Sequence, residues 1–323
     1  MTRGYALDPQ ARELLERAAR SSVPALHKLA PEEARRLYRE ISKSLQPPPP
    51  EVSEVVHTGF DGPGGKVLAW LYRPAGTRAG ESLPVCLFFH GGGWTFGDLD
   101  THDVACRTLA NFGRFGVASI DYRMGPEHKF PAAVDDAYAA LRWLLAQGTA
   151  LGLDPRCVAV AGDSAGGNLA AAVALLARDA GIELAMQALI YPALDLRAST
   201  PSHFEFAQGY LLERDAILWT LGNYLEDGAD VHDPRASPLL AADHRGLAQA
   251  YIVTAGFDPL LDEGAAYADK LSSAGVPVTY ECFEGMVHGF ITMGGVLAAA
   301  GHALYRVGHG LSQAFQIQTR MSA

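Results

Sequence analysis

The sequence predicts an α/β protein built on a mostly parallel, eight-stranded sheet flanked by helices. Strand-like apolar runs alternate with helical patterns over most of the chain, and this alternation is typical of a parallel sheet covered on both faces. The chain has 323 residues, of which 49% are hydrophobic. This is enough for one large core with or without a small lid. A sharp strand-turn-helix pattern in the middle of the chain, at residues 157–176, agrees with the same fold class.

Two charged amphipathic helices are predicted before the sheet, at residues 9–20 and 31–45. In the second, Pro31 and two acidic residues occupy the first turn, where both residue types favour a helix start. Four consecutive prolines at 47–50 end this helix. A proline run is a stiff extended linker, so we expect an internal boundary there.

The sheet is predicted from eight apolar runs near residues 52–57, 66–72, 84–90, 115–121, 157–162, 186–191, 250–256 and 278–283. Helices are predicted at residues 103–112, 131–147, 165–178, 214–225, 262–274 and 295–315. The first two strands are separated only by the turn sequence Asp61-Gly62-Pro63-Gly64-Gly65, which favours an antiparallel hairpin. The remaining strands are expected to be parallel.

Residues 193–232 interrupt the alternation of strands and helices. The helical piece within them, Leu211 to Leu225, arrives between two strand runs without a tight turn. An inserted lid has this appearance. We therefore expect residues 198–230 to form a small helical cap together with the N-terminal helices.

Composition excludes several classes of partner. The formal net charge is −10 and the pI is about 5.5, whereas binding to nucleic acid or an anionic membrane surface requires a basic face. The sequence has no run of eighteen apolar residues, so no membrane span is expected. Residues 1–10 are polar and include Asp8, which does not fit a secretory signal. We therefore expect a cytoplasmic protein.

The four cysteines do not predict a metal site or a disulfide framework. Their spacing contains no CxxC pattern and no zinc-type Cys/His pattern. Cys86, Cys157 and Cys282 each lie in a strand-like apolar run. We expect them to be small buried thiols.

A reactive serine is predicted at the turn Gly162-Asp163-Ser164-Ala165-Gly166. Such an elbow between a strand and a helix exposes Ser164 Oγ above the sheet and directs the helix N-terminus at the reacting centre. Gly162 and Gly166 allow the strand and the helix to approach closely. Asp163 is expected to fix the loop rather than to react.

A serine hydroxyl needs a neighbouring base, and the base needs a partner that orients it. In this architecture the order along the chain is serine, acid, histidine. Asp258 follows the strand run 250–256, and His288 follows the run 278–283. Clefts form at the carboxyl ends of such strands, so both side chains are expected at the serine.

Other titratable residues nearby have simpler explanations. Asp262 and Glu263 fit the start of the next helix, where carboxylates satisfy free N–H groups. His302 and His309 lie in the last helical pattern. We expect neither pair to take part in the chemistry.

An anion-binding loop is predicted at His90-Gly91-Gly92-Gly93-Trp94, directly after an apolar strand. Glycines allow backbone N–H groups to turn toward a ligand without obstruction by Cβ atoms. The N–H groups of Gly91 and Gly92, with that of Ala165, are expected to bind a developing oxyanion.

With these motifs in order, the chain resembles the hormone-sensitive-lipase-type carboxylesterases of the α/β-hydrolase superfamily, in the bacterial branch with the G-D-S-A-G-G signature. The resemblance covers nearly the whole chain. The matching segments are residues 90–94, 97–103, 121–123, 126–133, 162–168, 191–193, 258–260, 262–264 and 288–290.

The resemblance implies an α/β-hydrolase fold in which residues 1–45 form N-terminal cap helices and residues 46–323 form the catalytic domain, with residues 198–230 contributing to the cap. It also implies a role for each site residue. Ser164 would be the nucleophile, His288 the base and Asp258 the orienting acid, with Gly91, Gly92 and Ala165 as the oxyanion hole. Neither a metal nor a cofactor is implied, the partner is a small-molecule ester, and relatives often form homodimers.

The residues leave the exact reaction open. Amide or formamide hydrolysis and acyl transfer use the same triad as ester hydrolysis. A binding protein is a further alternative, because plant gibberellin receptors resemble this family but have lost the catalytic histidine, which is present here as His288. Trp94, Leu212 and Leu260 are candidates for the pocket lining. The bulk of Trp94 beside the glycine loop favours short- to medium-chain acyl groups.

Overall fold

The structure is a computed structural model that describes Gly4, residues 6–228 and residues 230–321. Residues 1–3 and 5 of the predicted cap, residue 229 of the predicted 198–230 segment and the last two residues of the catalytic domain lie outside the described residues. Eight strands form one sheet: β1 (Glu54–Gly62), β2 (Gly65–Arg73), β3 (Leu83–Phe89), β4 (Gly116–Asp121), β5 (Leu153–Asp163), β6 (Gln187–Ile190), β7 (Ala250–Phe257) and β8 (Val278–Val287). Each corresponds to a predicted strand.

The strand order is β1-β2-β4-β3-β5-β6-β7-β8. The predicted hairpin is confirmed, because β1 and β2 pair antiparallel from Glu54 opposite Arg73 to Gly62 opposite Gly65. Strand β2 also pairs antiparallel with β4, and the other strands are parallel to their neighbours. The central strands are buried along nearly their whole length, as parallel strands covered on both faces must be.

Nine α-helices lie within the described residues: α1 (Pro9–Arg20), α2 (Pro31–Leu45), α3 (Asp103–Gly113), α4 (Ala132–Gln147), α5 (Ala165–Asp179), α6 (Pro201–Glu205), α7 (Arg214–Tyr224), α8 (Leu261–Ser273) and α9 (Ala299–Met321). Helices α4, α5 and α8 contribute to the apolar core on one face of the sheet. Helices α3 and α9 contribute to the core on the other face. The short helix α6 was not predicted from the sequence. His302 and His309 lie on exposed positions of α9, as expected.

Helix α2 lies against the loops that follow β3 and β4. Arg35 of α2 donates to the carbonyl oxygens of Thr95 and Gly125, at 2.7 Å each, and pairs with Glu127. Lys129 donates to the carbonyl of Leu225 just after α7, at 2.7 Å. The assignment of α1, α2, α6 and α7 to a separate cap remains a prediction.

The cysteines are buried with one exception. In the described part of the chain none of the four cysteines forms a disulfide, and Cys86, Cys106 and Cys157 are buried. Cys282 is only half-buried, so its predicted burial is wrong. The reason is that β8 is the edge strand of the sheet, which leaves part of its surface uncovered.

Ionisation of Asp121, the last residue of β4, is less favourable in the folded protein than in the unfolded chain. Burial raises the pKa of Asp121 to about 6, and the carboxylates of Asp98 and Asp100 add to the rise, while Arg39 opposes it. An unfolded aspartate has a pKa of about 3.9. The folded state therefore binds more protons than the unfolded state between these values, and its stability falls as the pH rises through this window.

We expect Asp121→Asn to stabilise the fold near neutral pH, because the amide removes a partly buried charge. The gain in unfolding free energy should grow by about 1 kcal/mol between pH 5 and pH 7.5, the range over which the folded carboxyl ionises. Urea unfolding of both proteins at the two pH values measures it. A gain that is equal at both pH values would contradict the assignment.

Candidate active site

Ser164 stands at the apex of a tight elbow between β5 and α5. Its backbone is in the left-handed region, with φ 55° and ψ −118°, a strained conformation that is typical of functional positions. The flanking glycines are required here. A Cβ atom on Gly166 would lie 1.9 Å from the carbonyl oxygen of Phe89, and one on Gly162 would lie 2.3 Å from the Gly166 backbone. The predicted elbow is therefore present.

The structure brings the other two predicted side chains to Ser164. His288 Nε2 lies 2.9 Å from Ser164 Oγ. His288 Nδ1 lies 2.7 Å from Asp258 Oδ2. The three groups thus form a continuous hydrogen-bonded relay, although they are contributed by three different strand ends of the sheet.

The carboxylate end of this relay is rigid. Asp258 is fully buried, and its second oxygen accepts the Leu260 N–H at 2.8 Å. The His288 ring is only 10% exposed and packs against the Tyr191 ring, with centroids 4.7 Å apart. Packing and hydrogen bonds therefore fix the orientation of the His288 ring.

The glycine loop after β3 has the backbone that only glycine adopts without strain. Gly92 has φ 123° and Gly93 has φ 58°, and a Cβ atom on Gly92 would lie 2.0 Å from the Phe96 carbonyl oxygen. Within the described residues, the N–H groups of Gly92, Gly93 and Ala165 donate to no protein acceptor. These three amides are available to an anion.

The hydrogen bond made by the Gly91 N–H changes the predicted set of oxyanion-binding amides. Its N–H donates to Asp163 Oδ1 at 2.9 Å. The prediction that this N–H binds a substrate oxyanion is therefore wrong. The physical reason is that Asp163 is buried, and a buried carboxylate requires donors. The position of Asp163 next to the serine was the signal that could have revealed this bond.

Asp163 fixes the loop, as predicted, through more partners than the sequence indicated. Its Oδ1 lies 3.1 Å from His102 Nε2, and its Oδ2 accepts from the Tyr191 hydroxyl at 3.4 Å. Burial alone would raise the pKa of Asp163, but His102 and the Gly91 N–H hold it below the usual range. The carboxylate is therefore charged, and the part played by His102 was missed by sequence reasoning.

His90 is part of the scaffold of the loop. Its ring stacks on Tyr122 with centroids 4.3 Å apart, and the Tyr122 hydroxyl donates to the His90 carbonyl at 2.7 Å. Burial, with the nearby His102, lowers the pKa of His90 to about 4. A neutral His90 thus supports the loop and carries no charge near neutral pH.

Asp262 and Glu263 lie in the first turn of α8, as expected, but their carboxylates accept N–H groups of a distant segment. Glu263 accepts from the N–H groups of Leu194 and Asp195 and pairs with His203 at 2.8 Å. Asp262 accepts the Ser202 N–H at 2.8 Å. Both carboxylates hold the segment that follows β6, because that segment folds back over the start of α8.

The predicted pocket residues differ in exposure. Trp94 is 2% exposed and stacks on Tyr224, with ring centroids 4.3 Å apart. Leu260 is also buried, whereas Leu212 is only partly buried against the same core. Trp94 therefore fills space beside the glycine loop, and Leu260 belongs mainly to the core.

Among the described residues, none of the helices combines the length and the apolar character needed to cross a bilayer.

Comparison with known proteins agrees with this geometry. A family model described as the alpha/beta hydrolase fold matches residues 86–292. The chain is 42% identical over 297 residues to the carboxylic ester hydrolase LipN of Mycobacterium tuberculosis, which covers 90% of this chain and 78% of that protein. It is 38% identical over 306 residues to an ethyl acetate hydrolase of Pseudomonas putida, which covers 93% of this chain and 96% of that protein.

Solved structures give the same result. An ester hydrolase from the metagenome of Lake Arreo, in complex with a derivative of bipyridine phosphonate, superimposes with a TM-score of 0.93 at 42% identity, over 96% of this chain and 99% of that one. A hyperthermophilic esterase from Pyrobaculum calidifontis superimposes with a TM-score of 0.90 at 38% identity, over 95% of this chain and 98% of that one. The chain therefore belongs to the α/β-hydrolase fold family, as a carboxylic ester hydrolase of the hormone-sensitive-lipase type.

Proposed function

We propose that the protein is a serine carboxylesterase that hydrolyses short- to medium-chain esters through Ser164, His288 and Asp258. The observation that carries the proposal is the relay of hydrogen bonds from Ser164 Oγ to His288 Nε2, at 2.9 Å, and from His288 Nδ1 to Asp258, at 2.7 Å. Such a relay activates an otherwise weak nucleophile.

In the first half of the reaction, Ser164 Oγ attacks the ester carbonyl carbon while His288 Nε2 takes the hydroxyl proton. The carbonyl oxygen becomes an oxyanion and is bound by the N–H groups of Gly92, Gly93 and Ala165. The Asp258 carboxylate stabilises the imidazolium that forms. His288 then gives its proton to the leaving alcohol oxygen, which leaves an acyl group on Ser164.

In the second half, a water molecule replaces the alcohol. His288 takes a proton from the water, whose oxygen attacks the acyl carbon of the Ser164 ester. The same three amides bind the second oxyanion. The carboxylic acid leaves when His288 returns the proton to Ser164 Oγ, which restores the free enzyme.

The preference for small acyl groups is supported by packing beside the oxyanion loop. The stacked rings of Trp94 and Tyr224 fill the space next to the glycines. The P. putida relative is named for the hydrolysis of ethyl acetate, a small ester. Both observations favour short over long acyl chains.

The experiment that tests the function is the hydrolysis of p-nitrophenyl esters from acetate to palmitate. We expect kcat/KM to peak at short acyl chains and to fall steeply beyond them, because longer chains meet the Trp94 and Tyr224 wall. Turnover that rises toward palmitate would contradict the proposed pocket size. Turnover of amides or formamides without turnover of any ester would favour the amidase alternative.

The homodimer and the cytoplasmic location stay predictions. The edge strand β8 and the terminal helix α9 are the elements that we expect at a dimer interface. The two-part cap, formed by residues 1–45 and 198–230, is likewise proposed as the cover of this site.

A further inference from the structure

A buried histidine, His102, lies under the oxyanion loop without contributing to the serine relay. It is fully buried, and its Nε2 is 3.1 Å from Asp163 Oδ1. Its Nδ1 is 3.0 Å from Thr101 Oγ1. Both ring nitrogens therefore have polar partners, which hold the ring in one orientation.

The position of His102 in the chain does not explain this arrangement. The residue is the N-cap of α3, where a short polar side chain usually accepts an N–H of the first turn. Its side chain makes no such bond and faces the carboxylate next to the nucleophile instead. The His102 side chain therefore contacts Asp163 and does not cap α3.

Asp163 also contacts the oxyanion loop, residues 90–94. The oxygen that faces His102 also accepts the Gly91 N–H, at 2.9 Å. The same N–H lies 3.3 Å from His102 Nε2, so His102 also contacts Gly91 directly. The Gly91 backbone is packed closely against this carboxylate, because a Cβ atom on Gly91 would lie 2.5 Å from its other oxygen. Gly91 directly precedes Gly92 and Gly93, whose free N–H groups are those proposed to bind the oxyanion.

Oxyanion donors stabilise a transition state only when they are held in place before the reaction. A shift of about 1 Å in such a group can cost about 10²-fold in rate. The Gly91 amide is a point at which the loop is hydrogen-bonded to the elbow that carries Ser164, and the orientation of Asp163 sets the direction of that bond.

We propose that His102 is a positioning residue for the oxyanion-binding amides, acting through Asp163 and Gly91. This proposal rests on the proposed function. His102 holds the carboxylate, the carboxylate holds the Gly91 N–H, and the direction of the Gly92 and Gly93 N–H groups follows from that attachment.

Two substitutions separate the hydrogen bond from the bulk of the ring. His102→Leu keeps a side chain of similar size and removes the ring nitrogen that contacts Asp163 and the Gly91 N–H. His102→Gln keeps an N–H donor near the place of Nε2. His244→Leu is the matched control, because His244 is also a buried histidine, and its Nε2 bonds to the Pro238 carbonyl at 3.1 Å, outside this network.

We expect kcat for p-nitrophenyl acetate to fall about 10²-fold in His102→Leu, the usual cost of an impaired oxyanion donor. The KM should change little, because the lost interaction acts in the transition state. His102→Gln should recover a large part of the rate. His244→Leu should lower the melting temperature without this loss of kcat.

A trifluoromethyl ketone inhibitor provides the decisive readout. It adds to Ser164 as a hemiketal whose oxyanion occupies the same amides. Across the two His102 variants, Ki should rise by the same factor by which kcat/KM falls. Titration with a p-nitrophenyl organophosphate counts intact serine sites, so that kcat refers to folded enzyme.

Three outcomes would overturn the proposal: an unchanged kcat in His102→Leu, a fall in kcat/KM with an unchanged Ki, or an equal loss in His244→Leu. If His102→Leu does not fold, the comparison of Ki with kcat/KM in His102→Gln decides. Failure of the proposed function is distinguishable, because it would appear as absent ester turnover in the unmodified protein.

Discussion

Ser164→Ala is expected to abolish ester turnover, with a fall in kcat of about 10⁶-fold, the size seen when a triad serine is removed from a protease. The variant loses the atom that would bond to the acyl carbon, while His288 and Asp258 keep their own 2.7 Å contact. The remaining His288 can at most assist water. Initial rates with p-nitrophenyl acetate and butyrate measure the loss.

The fold should survive this substitution. Ser164 Oγ makes its hydrogen bond to the partly exposed His288 ring, and alanine preserves the Cβ atom, so only one polar contact is lost. Circular dichroism melting checks this expectation. Ser273→Ala, an exposed position at the end of α8, is the control and should retain full activity. Rapid turnover by Ser164→Ala, at a rate that no wild-type contamination explains, would reject Ser164 as the nucleophile.

Asp258→Asn is expected to lower kcat by about 10⁴-fold, as the corresponding change does in a serine protease. One oxygen of Asp258 accepts the Leu260 N–H at 2.8 Å, so the asparagine oxygen should keep that position. The amide nitrogen then faces His288 Nδ1 and donates to it. His288 is thereby held with its proton on Nε2 and cannot accept the proton of Ser164.

The loss in Asp258→Asn should lie in kcat much more than in KM, because the tautomer affects proton transfer and not ester binding. Initial rates over a range of ester concentrations separate the two constants. Asp269→Asn is the matched control, since it makes the same change at an exposed position of α8. An Asp258→Asn enzyme with wild-type kcat would reject the assignment of the acid.

The elements of the sheet could be predicted because their signals are local. Each strand is a short apolar run bounded by turn residues, and the elbow at Ser164 follows from two glycines around one serine. Asp258 and His288 could be placed without tertiary information, because residues at the carboxyl ends of parallel strands meet at one edge of the sheet.

Two of the corrections concern hydrogen bonds between segments that are distant in the chain. Gly91 and Asp163 are 72 residues apart, and Glu263 reaches back 69 residues to Leu194. Which buried carboxylate takes which N–H depends on the final packing. No local pattern could assign the Gly91 amide to Asp163 rather than to a substrate.

The sequence by itself determined the α/β architecture, the order of the strands along the chain and the prediction that Ser164, Asp258 and His288 lie together, as they do. It could do so because hydrophobic periodicity and turn chemistry act over a few residues. The tertiary structure decided which loop amides remain free, where His102 and Glu263 find partners, and how far Cys282 is covered at the sheet edge. These outcomes depend on burial, which creates the need for hydrogen-bond partners only after the elements have packed together.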